Sequence, residues 1–409
     1  MRDDLSRLVG LEGFEVKGVI AGGDRLDLEV ELVARAGCCP RCGRGSLDVK
    51  DRPRVRVRDL PLAGRVTHLV WRKRRYNCAG CGRTFTESHP ELPPRQRVTR
   101  RFRKQLFERV RGGGAHAEVA RDERTTRYQV ARAFRAGAED ELDARREAWP
   151  ARRLSLDEAH HRRGRELATV VSDLDLGRVV EVLDGRSRRR VERYLRSLPE
   201  RHRDAIEVVS IDPYDAYRQA IHNELPGARI VVDHFHLVRG ANTALDSVRR
   251  ERQREAGRRR PKGARRSGQG ATWRRDLYRA RHRLLKARER LTERDRRRLC
   301  ALFEHEPLIA EAWALKEAFR SIYRAPDRRE AERRLERFLG AVERAQLPAF
   351  TAFADGVRLW RGELLAYFDE PTTNGYAEGV INKVKVIKRR AYGLPSFDRF
   401  RQRVLLACR

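Results

Sequence analysis

Five apolar runs of strand length follow Pro150: LSLDEAHH (154–161), LATVVSDL (167–174), RVVEVLDG (178–185), IEVVSID (206–212) and ARIVVDHF (228–235). Short runs rich in Val, Ile and Leu read as strands of a buried sheet. The first three are separated by short turns, Asp175-Leu176-Gly177 among them, which predicts an antiparallel meander. The last two flank a helical segment, PYDAYRQAIHNELP (213–226), and a helix between two strands demands a parallel pair. The expected fold class is therefore α/β, built on a mixed sheet.

Three of these runs close on an acid. Asp157 ends LSLD, Asp233 ends IVVD, and Asp212 ends VVSID with Pro213 after it, as suits the first turn of a helix. Strand ends open into a crevice, so acids placed there serve sites. Two of them on neighbouring strands repel unless a cation lies between them, and hard ions such as Mg²⁺ take oxygen ligands of this kind. Pattern alone does not choose among the three. Further on, TTNGYAEGVINKVKVIKRRAYG (372–393) sets Glu378 ahead of Lys383, Lys385, Lys388, Arg389 and Arg390. Thr373 or Asn374 can cap this helix. At about 100° per residue, Glu378, Asn382, Lys385 and Arg389 share one face, with Val380, Val384 and Ile387 opposite and suited to pack on the sheet. Glu378 can simply complement the helix dipole. With two strand-end aspartates upstream, a third metal ligand is the favoured reading.

The net charge is +33, from 92 Lys+Arg against 59 Asp+Glu in 409 residues. GC-rich coding accounts for 82 arginines against ten lysines, but not for the shortage of acids. Such a charge points to a polyanion, and nucleic acid is favoured. There is no apolar run of about 18 residues and no apolar N-terminal leader, so a soluble, cytoplasmic protein without membrane contact is expected.

Seven cysteines in a chain this long do not make a disulfide scaffold. CCPRCG gives Cys39-x-x-Cys42 and CAGCG gives Cys78-x-x-Cys81, two knuckles each followed by Gly, which suit a structural Zn²⁺ held by four thiolates. Cys38 is an alternative to Cys39 with a poorer spacing, and residues 43–77 exceed the usual spacer. Cys300 and Cys408 read as core. The first 95 residues otherwise alternate as short strands. From Val98 to about Leu142 the pattern is helical, broken at Gly112–Gly114 and again around RDERTT. This suggests a helix-turn-helix with Thr125–Arg135 as recognition helix, in which Thr126, Arg127, Gln129 and Arg132 reach bases or phosphates. A plain helical linker fits the pattern nearly as well. From Leu245 to Ala366 the chain is helical and Arg-rich, with Trp273, Trp313 and Trp360 read as its core. RQREAGRRRPKGARRSGQG (252–270) interrupts it, too polar to pack and expected to form a mobile loop.

LSLDEAHH, VVSIDPYDAY, PGARIVVDHFHLVR and TTNGYAEGVINKVKVIKRRAYGLPSFDRFRQRV resemble the transposases of the ISL-three group of bacterial insertion sequences. CCPRCG with RRYNCAGCGRTFTE resembles that family's N-terminal zinc-binding domain, and the likeness spans nearly the whole chain outside the basic segment near 250–272. It implies an RNase H-like mixed-sheet catalytic domain with a helical insertion, preceded by a zinc-ribbon-like domain and a helix-turn-helix domain. The boundaries expected are 1–95 for zinc, 96–150 for the helix-turn-helix, 151–245 and 366–409 for the catalytic core, and 246–365 for the insertion. The resemblance implies an acidic triad of Asp157, Asp212 and Glu378 holding two Mg²⁺ or Mn²⁺ ions, with Asp233 in a supporting role toward His236 or DNA. The activity implied is binding of the element's terminal inverted repeats, then metal-dependent strand cleavage and strand transfer. Asn382, Lys385, Lys388 and Arg389 are expected to hold phosphates. The partners implied are double-stranded DNA, repeat and target alike, and further copies of the chain in a dimer or larger assembly. Two other readings compete: a catalytically inactive zinc/helix-turn-helix regulator, and a nuclease or resolvase acting on branched DNA.

Overall fold

The computed structural model describes residues 9–93, 95–146, 151–161, 166–258, 269–372, 375–391, 394 and 396–408. The chain divides into two compact units, residues 1–148 with 385–407, and residues 149–384 with 408–409.

The first unit opens with β1 (Phe14–Gly22), β2 (Arg25–Leu32), β3 (Gly37–Cys38), β4 (Gly45–Ser46), β5 (Val49–Asp51), β6 (Arg54–Arg58), β7 (Val66–Arg72), β8 (Arg75–Asn77) and β9 (Thr84–Thr86). Strands β1-β2-β7-β6 form a sheet, while β3-β4 and β5-β8-β9 form two small ones. In RLDLEVEL the leucines and Val30 face inward and the charged residues outward, the period of two that a half-buried sheet requires. Leu28, Val30, Leu69 and Trp71 centre its core. The Trp71 Nε1–H, which burial obliges to find an acceptor, donates to Glu87 Oε1 at 3.0 Å.

Three helices follow: α1 (Arg100–Arg111), α2 (His116–Asp122) and α3 (Arg127–Arg146). Thr99 starts α1, its hydroxyl accepting from the Phe102 N–H and donating to Asp59. Phe102, Leu106, Val119, Val130 and Phe134 form the helical core, and Leu406 of the C-terminal helix (Phe397–Ala407) completes it. That last helix is tied in twice more. Arg403 Nη2 donates to the Gly114 carbonyl at 3.0 Å, and Arg145 Nη1 to the Leu405 carbonyl at 2.8 Å.

His116 lies at the start of α2 against Phe134, its ring centroid 5.7 Å away. Burial, then the Arg403 and Arg399 charges, lower its pKa to about 4. Since the folded chain refuses a proton that the unfolded chain accepts below about 6.5, this contribution to stability is full above that pH and is lost as pH falls toward 4. We therefore expect the urea midpoint of the wild type to decline from pH 6.5 to 4 more steeply than that of His116→Phe. Parallel slopes across that window would refute this.

The second unit holds β10 (Arg153–His160), β11 (Leu167–Asp173), β12 (Arg178–Asp184), β13 (Val208–Ile211) and β14 (Arg229–Val232). Their order is β12-β11-β10-β13-β14, antiparallel through β10 and parallel from β10 to β14. The meander and the strand–helix–strand unit are both present. Helices α4 (Arg188–Ser197), α5 (Glu200–Asp204) and α6 (Asp215–Glu224) join these strands, and Val191, Leu195, Tyr217 and Ile221 bury against Leu154, Leu156, Val209 and Ile211.

The helical region then runs through α7 (His234–Arg258), α8 (Gln269–Leu285), α9 (Glu293–His305), α10 (Pro307–Ile322), α11 (Arg328–Ala345), α12 (Pro348–Leu359) and α13 (Arg361–Ala366). Its core is continuous with that of the sheet and contains Trp360, with Trp313 packed against it; the Trp273 side chain lies outside the described residues. The expected loop begins later than residue 252, because α7 continues to Arg258. Acids within reach explain the extension: Arg249 Nε donates to Asp246 at 2.8 Å and Arg252 Nε to Glu306 at 2.7 Å, so the arginines do not force the helix apart. The centre of that segment, 259–268, lies outside the described residues. Fully buried Lys316 donates to the Leu284 and Lys286 carbonyls at 2.8 and 2.9 Å, closing the C-terminal end of α8. The last helix to begin in this unit is α14 (Gly375–Arg390); the expected caps Thr373 and Asn374 lie outside the described residues. Among the described residues no helix is long and apolar enough to cross a membrane.

Candidate active site and zinc centre

Strand register assembles the acids. Leu156 pairs with Ile211, and Ile211 with Val232. One residue beyond each, Asp157, Asp212 and Asp233 therefore form a row across the carboxyl end of the parallel strands. Asp157 does not end its strand as expected. β10 continues to His160 because β11 still pairs with it there, His160 opposite Leu167, after parallel β13 has stopped. Period two sets Asp157 on the face of Ser155, away from core residues Leu154 and Leu156.

Asp233 opens α7, accepting from the Phe235 N–H at 3.1 Å. One turn on, His236 places Nδ1 2.9 Å from Asp233 Oδ2 and 2.9 Å from Asp212 Oδ1. One ring N–H cannot serve both oxygens well. It is aligned with Asp233, and Asp212 Oδ1 is left buried with no hydrogen-bond partner. Asp212, and then Asp233, hold His236 as imidazolium with its pKa raised to about 10. Burial, and then the Asp212 charge, raise Asp157 to about 6, opposed by the Glu158 N–H that donates to its Oδ1 at 2.6 Å. Ser155 Oγ, Ser210 Oγ and His234 Nδ1 are also buried without a hydrogen bond, the last 3.9 Å from Asp233 Oδ1. Asp212, Asp233 and His236 present ligand atoms within 4.8 Å of one another. A row of carboxylates with an orphaned oxygen and an elevated proton affinity fits a hard divalent cation.

Two of the three expected triad members, Asp157 and Asp212, thus occupy adjacent places. Glu378 lies in α14, and its side chain is outside the described residues. Two residues earlier, Tyr376 packs near Gly177, in the turn between β11 and β12. Along α14, Val380 and Val384 are buried, Ile387 and Lys388 half-buried, and Asn382, Lys385 and Arg389 exposed. The resemblance links Asp233 to His236, and their spacing of one helical turn agrees; the closeness of His236 to Asp212 has no signal in the sequence.

In the first unit, α2 and α3 meet in a tight turn. Buried Glu123 accepts from Gln105 and Arg109, both at 2.7 Å, and Arg124 takes a left-handed φ of 46°. Thr126, Arg127 and Arg132 are exposed, whereas Gln129 is half-buried and bonded to the Thr125 hydroxyl.

The four expected zinc ligands, Cys39, Cys42, Cys78 and Cys81, present their sulfurs within 4.8 Å of one another. Each knuckle is closed the same way. The Gly43 N–H donates to the Cys39 carbonyl at 2.9 Å and the Gly82 N–H to the Cys78 carbonyl at 2.8 Å. Both glycines need positive φ, 71° and 68°, which explains a Gly after each pair. The backbone N–H of Cys81, directed at Cys78, lowers that thiol to about 6, toward the thiolate a metal takes. Cys38 stands outside the cluster, with Sγ on the Gly43 carbonyl at 3.2 Å, so the alternative to Cys39 is discarded.

Comparison with known proteins finds relatives for both parts of the chain. Residues 154–404 match the ISL-three DDE family, described as "Transposase", and residues 35–81 match the "zinc-finger of transposase IS204/IS1001/IS1096/IS1165". The chain is 27% identical over 403 residues to the "Transposase for insertion sequence element IS1001" of Bordetella parapertussis, covering 95% of this chain and 94% of that one. It is 30% identical over 255 residues, 60% of this chain and 57% of the relative, to the "Transposase for insertion sequence element IS1557" of Mycobacterium tuberculosis.

Proposed function

The chain belongs to the ISL-three family of DNA transposases and carries that family's zinc ribbon, and from this premise we propose that it cuts and joins DNA strands at the ends of its own insertion sequence through Asp157, Asp212 and Glu378. The observation that carries the reading is the row of aspartates, in which a buried Asp212 oxygen accepts no hydrogen bond and faces His236 at 2.9 Å. The sheet order, three antiparallel strands continued by two parallel ones, supports an RNase H-like domain interrupted by the helices after β14.

Asp157 and Asp212 hold Mg²⁺ or Mn²⁺ from adjacent strands, with Glu378 brought to them on α14. Two such ions, when bound, neutralise charge on the attacking and leaving oxygens of an in-line displacement at phosphorus. Asp233 fixes the first turn of α7 and orients His236, whose Nδ1 lies 2.9 Å from Asp212 Oδ1. Asn382, Lys385, Lys388 and Arg389 hold the DNA backbone along α14. Helices α2 and α3, joined through Arg124, form a helix-turn-helix that presents Thr126, Arg127 and Arg132 to the terminal repeats, with Gln129 bracing the turn. The element has two ends to join, so the working form is a dimer or larger assembly on DNA in the bacterial cytoplasm.

The test is cleavage of end-labelled DNA carrying the element's termini, with Mg²⁺ or Mn²⁺, by the wild type and by Glu378→Gln. We expect metal-dependent nicks at the ends that fall at least about a hundredfold in the variant, whose repeat binding is unchanged. Binding without nicks under every metal condition would make the chain a regulator. Preference for branched DNA over the repeats would make it a resolvase.

A further inference from the structure

In the first unit a groove of about 490 Å³ runs between the solvent face of the β2-β7-β6 sheet and the beginning of α3. Five arginines line it, Arg25, Arg56, Arg58, Arg97 and Arg124, facing one acid, Asp24. They come from four separate segments. Arg25 opens β2, Arg56 and Arg58 alternate along β6, Arg97 lies in the strand-like stretch hydrogen-bonded beside Arg58, and Arg124 is the left-handed residue before α3. Thr125, Thr126 and Gln129 form the facing wall.

Ordinary charged sheet faces are neutralised by cross-strand pairs, and part of this one is. Arg56 pairs with Asp27 at 2.8 Å and Arg124 with Asp24 at 3.3 Å. Arg25 and Arg97, both exposed, have no carboxylate partner among the described residues. Beneath them Arg58 is only 7% exposed. Two of its nitrogens donate to the Thr67 and Glu123 carbonyls, both at 3.1 Å, and Nε is buried with no partner. Phe102 lies under the guanidinium, and the Glu123 and Asp59 charges offset part of its burial. Burial still outweighs them and lowers its pKa, so an anion in the groove would find a desolvated cation with an unused N–H. His68, in the same groove, is kept neutral, its pKa lowered by burial and then by Arg56 and Arg58.

We propose that this groove seats the backbone phosphates of the DNA strand flanking the site that α3 enters, so that the sheet sets the register in which α3 reads bases. A cleft of this size admits a phosphodiester stretch but no duplex, and the guanidinium fork suits phosphate oxygens. The inference deepens the helix-turn-helix reading and rests on it for where the duplex lies.

The test uses the full chain and measures binding to a terminal-repeat duplex and to an unrelated duplex as a function of salt. The variants are Arg25→Gln/Arg97→Gln, both surface positions, and Arg127→Ala/Arg132→Ala on α3. For the groove variant we expect roughly tenfold or greater loss on both duplexes alike. The slope of log K against log salt should become shallower by about 1.8, at about 0.9 per lost phosphate contact, with the preference for the repeat kept. For the α3 variant the preference should fall. An unchanged slope in the groove variant overturns the proposal even if α3 proves to be the reader. A reduced slope with preference untouched by the α3 variant upholds the groove and defeats the reading helix instead. Binding of inorganic phosphate or pyrophosphate that duplex DNA fails to displace would assign the groove to a small anion and overturn the proposal.

Discussion

Asp212→Asn is expected to reduce strand cleavage by more than about a thousandfold, because the charge stabilisation a bound cation provides is worth several kcal/mol and each decade of rate costs about 1.4 kcal/mol. The position is chosen for its surroundings. Asp212 lies between Asp157 and Asp233 in the register row, its buried Oδ1 accepts no hydrogen bond and faces His236 at 2.9 Å, and its charge adds to burial in raising Asp157 to about 6. The neutral amide removes a ligand and relieves that repulsion, so the folded protein should suffer little. A second readout follows that does not depend on turnover. Mn²⁺ bound only by the folded wild type raises its thermal midpoint by mass action, and the variant should lose that increment. A variant that still gains the increment and still cleaves would remove Asp212 from the site. Loss of cleavage with the Mn²⁺ increment retained would move the cation to other ligands.

Cys78→Ser should have the largest effect on the fold itself. The hairpins around the four cysteines consist of strands two or three residues long, far too little buried surface to hold without the metal. Zinc contributes about 10–16 kcal/mol in comparable peptide sites, so loss of one thiolate should release the ion and unfold both hairpins. Metal analysis of the purified chain should find zinc in the wild type and none in the variant, with protease cutting newly concentrated between residues 37 and 86. Cys38→Ser is the matched control. Cys38 is exposed, contacts only a carbonyl, and should leave zinc and proteolysis unaltered. Equal zinc loss in both variants would reverse the assignment of Cys39.

Local pattern carried a good part of this architecture. The five runs after Pro150 specify the meander and the parallel pair, since short turns force antiparallel pairing and an intervening helix forces parallel pairing, but not the β10–β13 junction that joins them. The knuckles were plain because a tight turn at each needs Gly43 and Gly82. Spacing favours Cys39 over Cys38, and the four-sulfur cluster removes the alternative. Asp157 reads as a strand end because apolar character stops there, whereas pairing with β11, the next strand, carries β10 on to His160. The pairing of His236 with Asp212 joins a helix turn to another strand, and no local signal predicts it. Nor does any periodicity bring together Arg25, Arg56, Arg97 and Arg124.

The C-terminal helix has a consequence for synthesis. Leu406 fills the core of the bundle made by α1–α3, and Arg403 and Leu405 bond to Gly114 and Arg145. A ribosome adding about 5–20 residues per second needs roughly 10–50 seconds between the end of α3 and this helix. Throughout that interval the nascent chain carries an unfinished bundle. The bundle proposed to bind DNA is completed only after Asp157, Asp212 and Glu378 have been translated. A product that stops before Phe397 lacks this helix, and with it Leu406 and the two bonds that close the bundle.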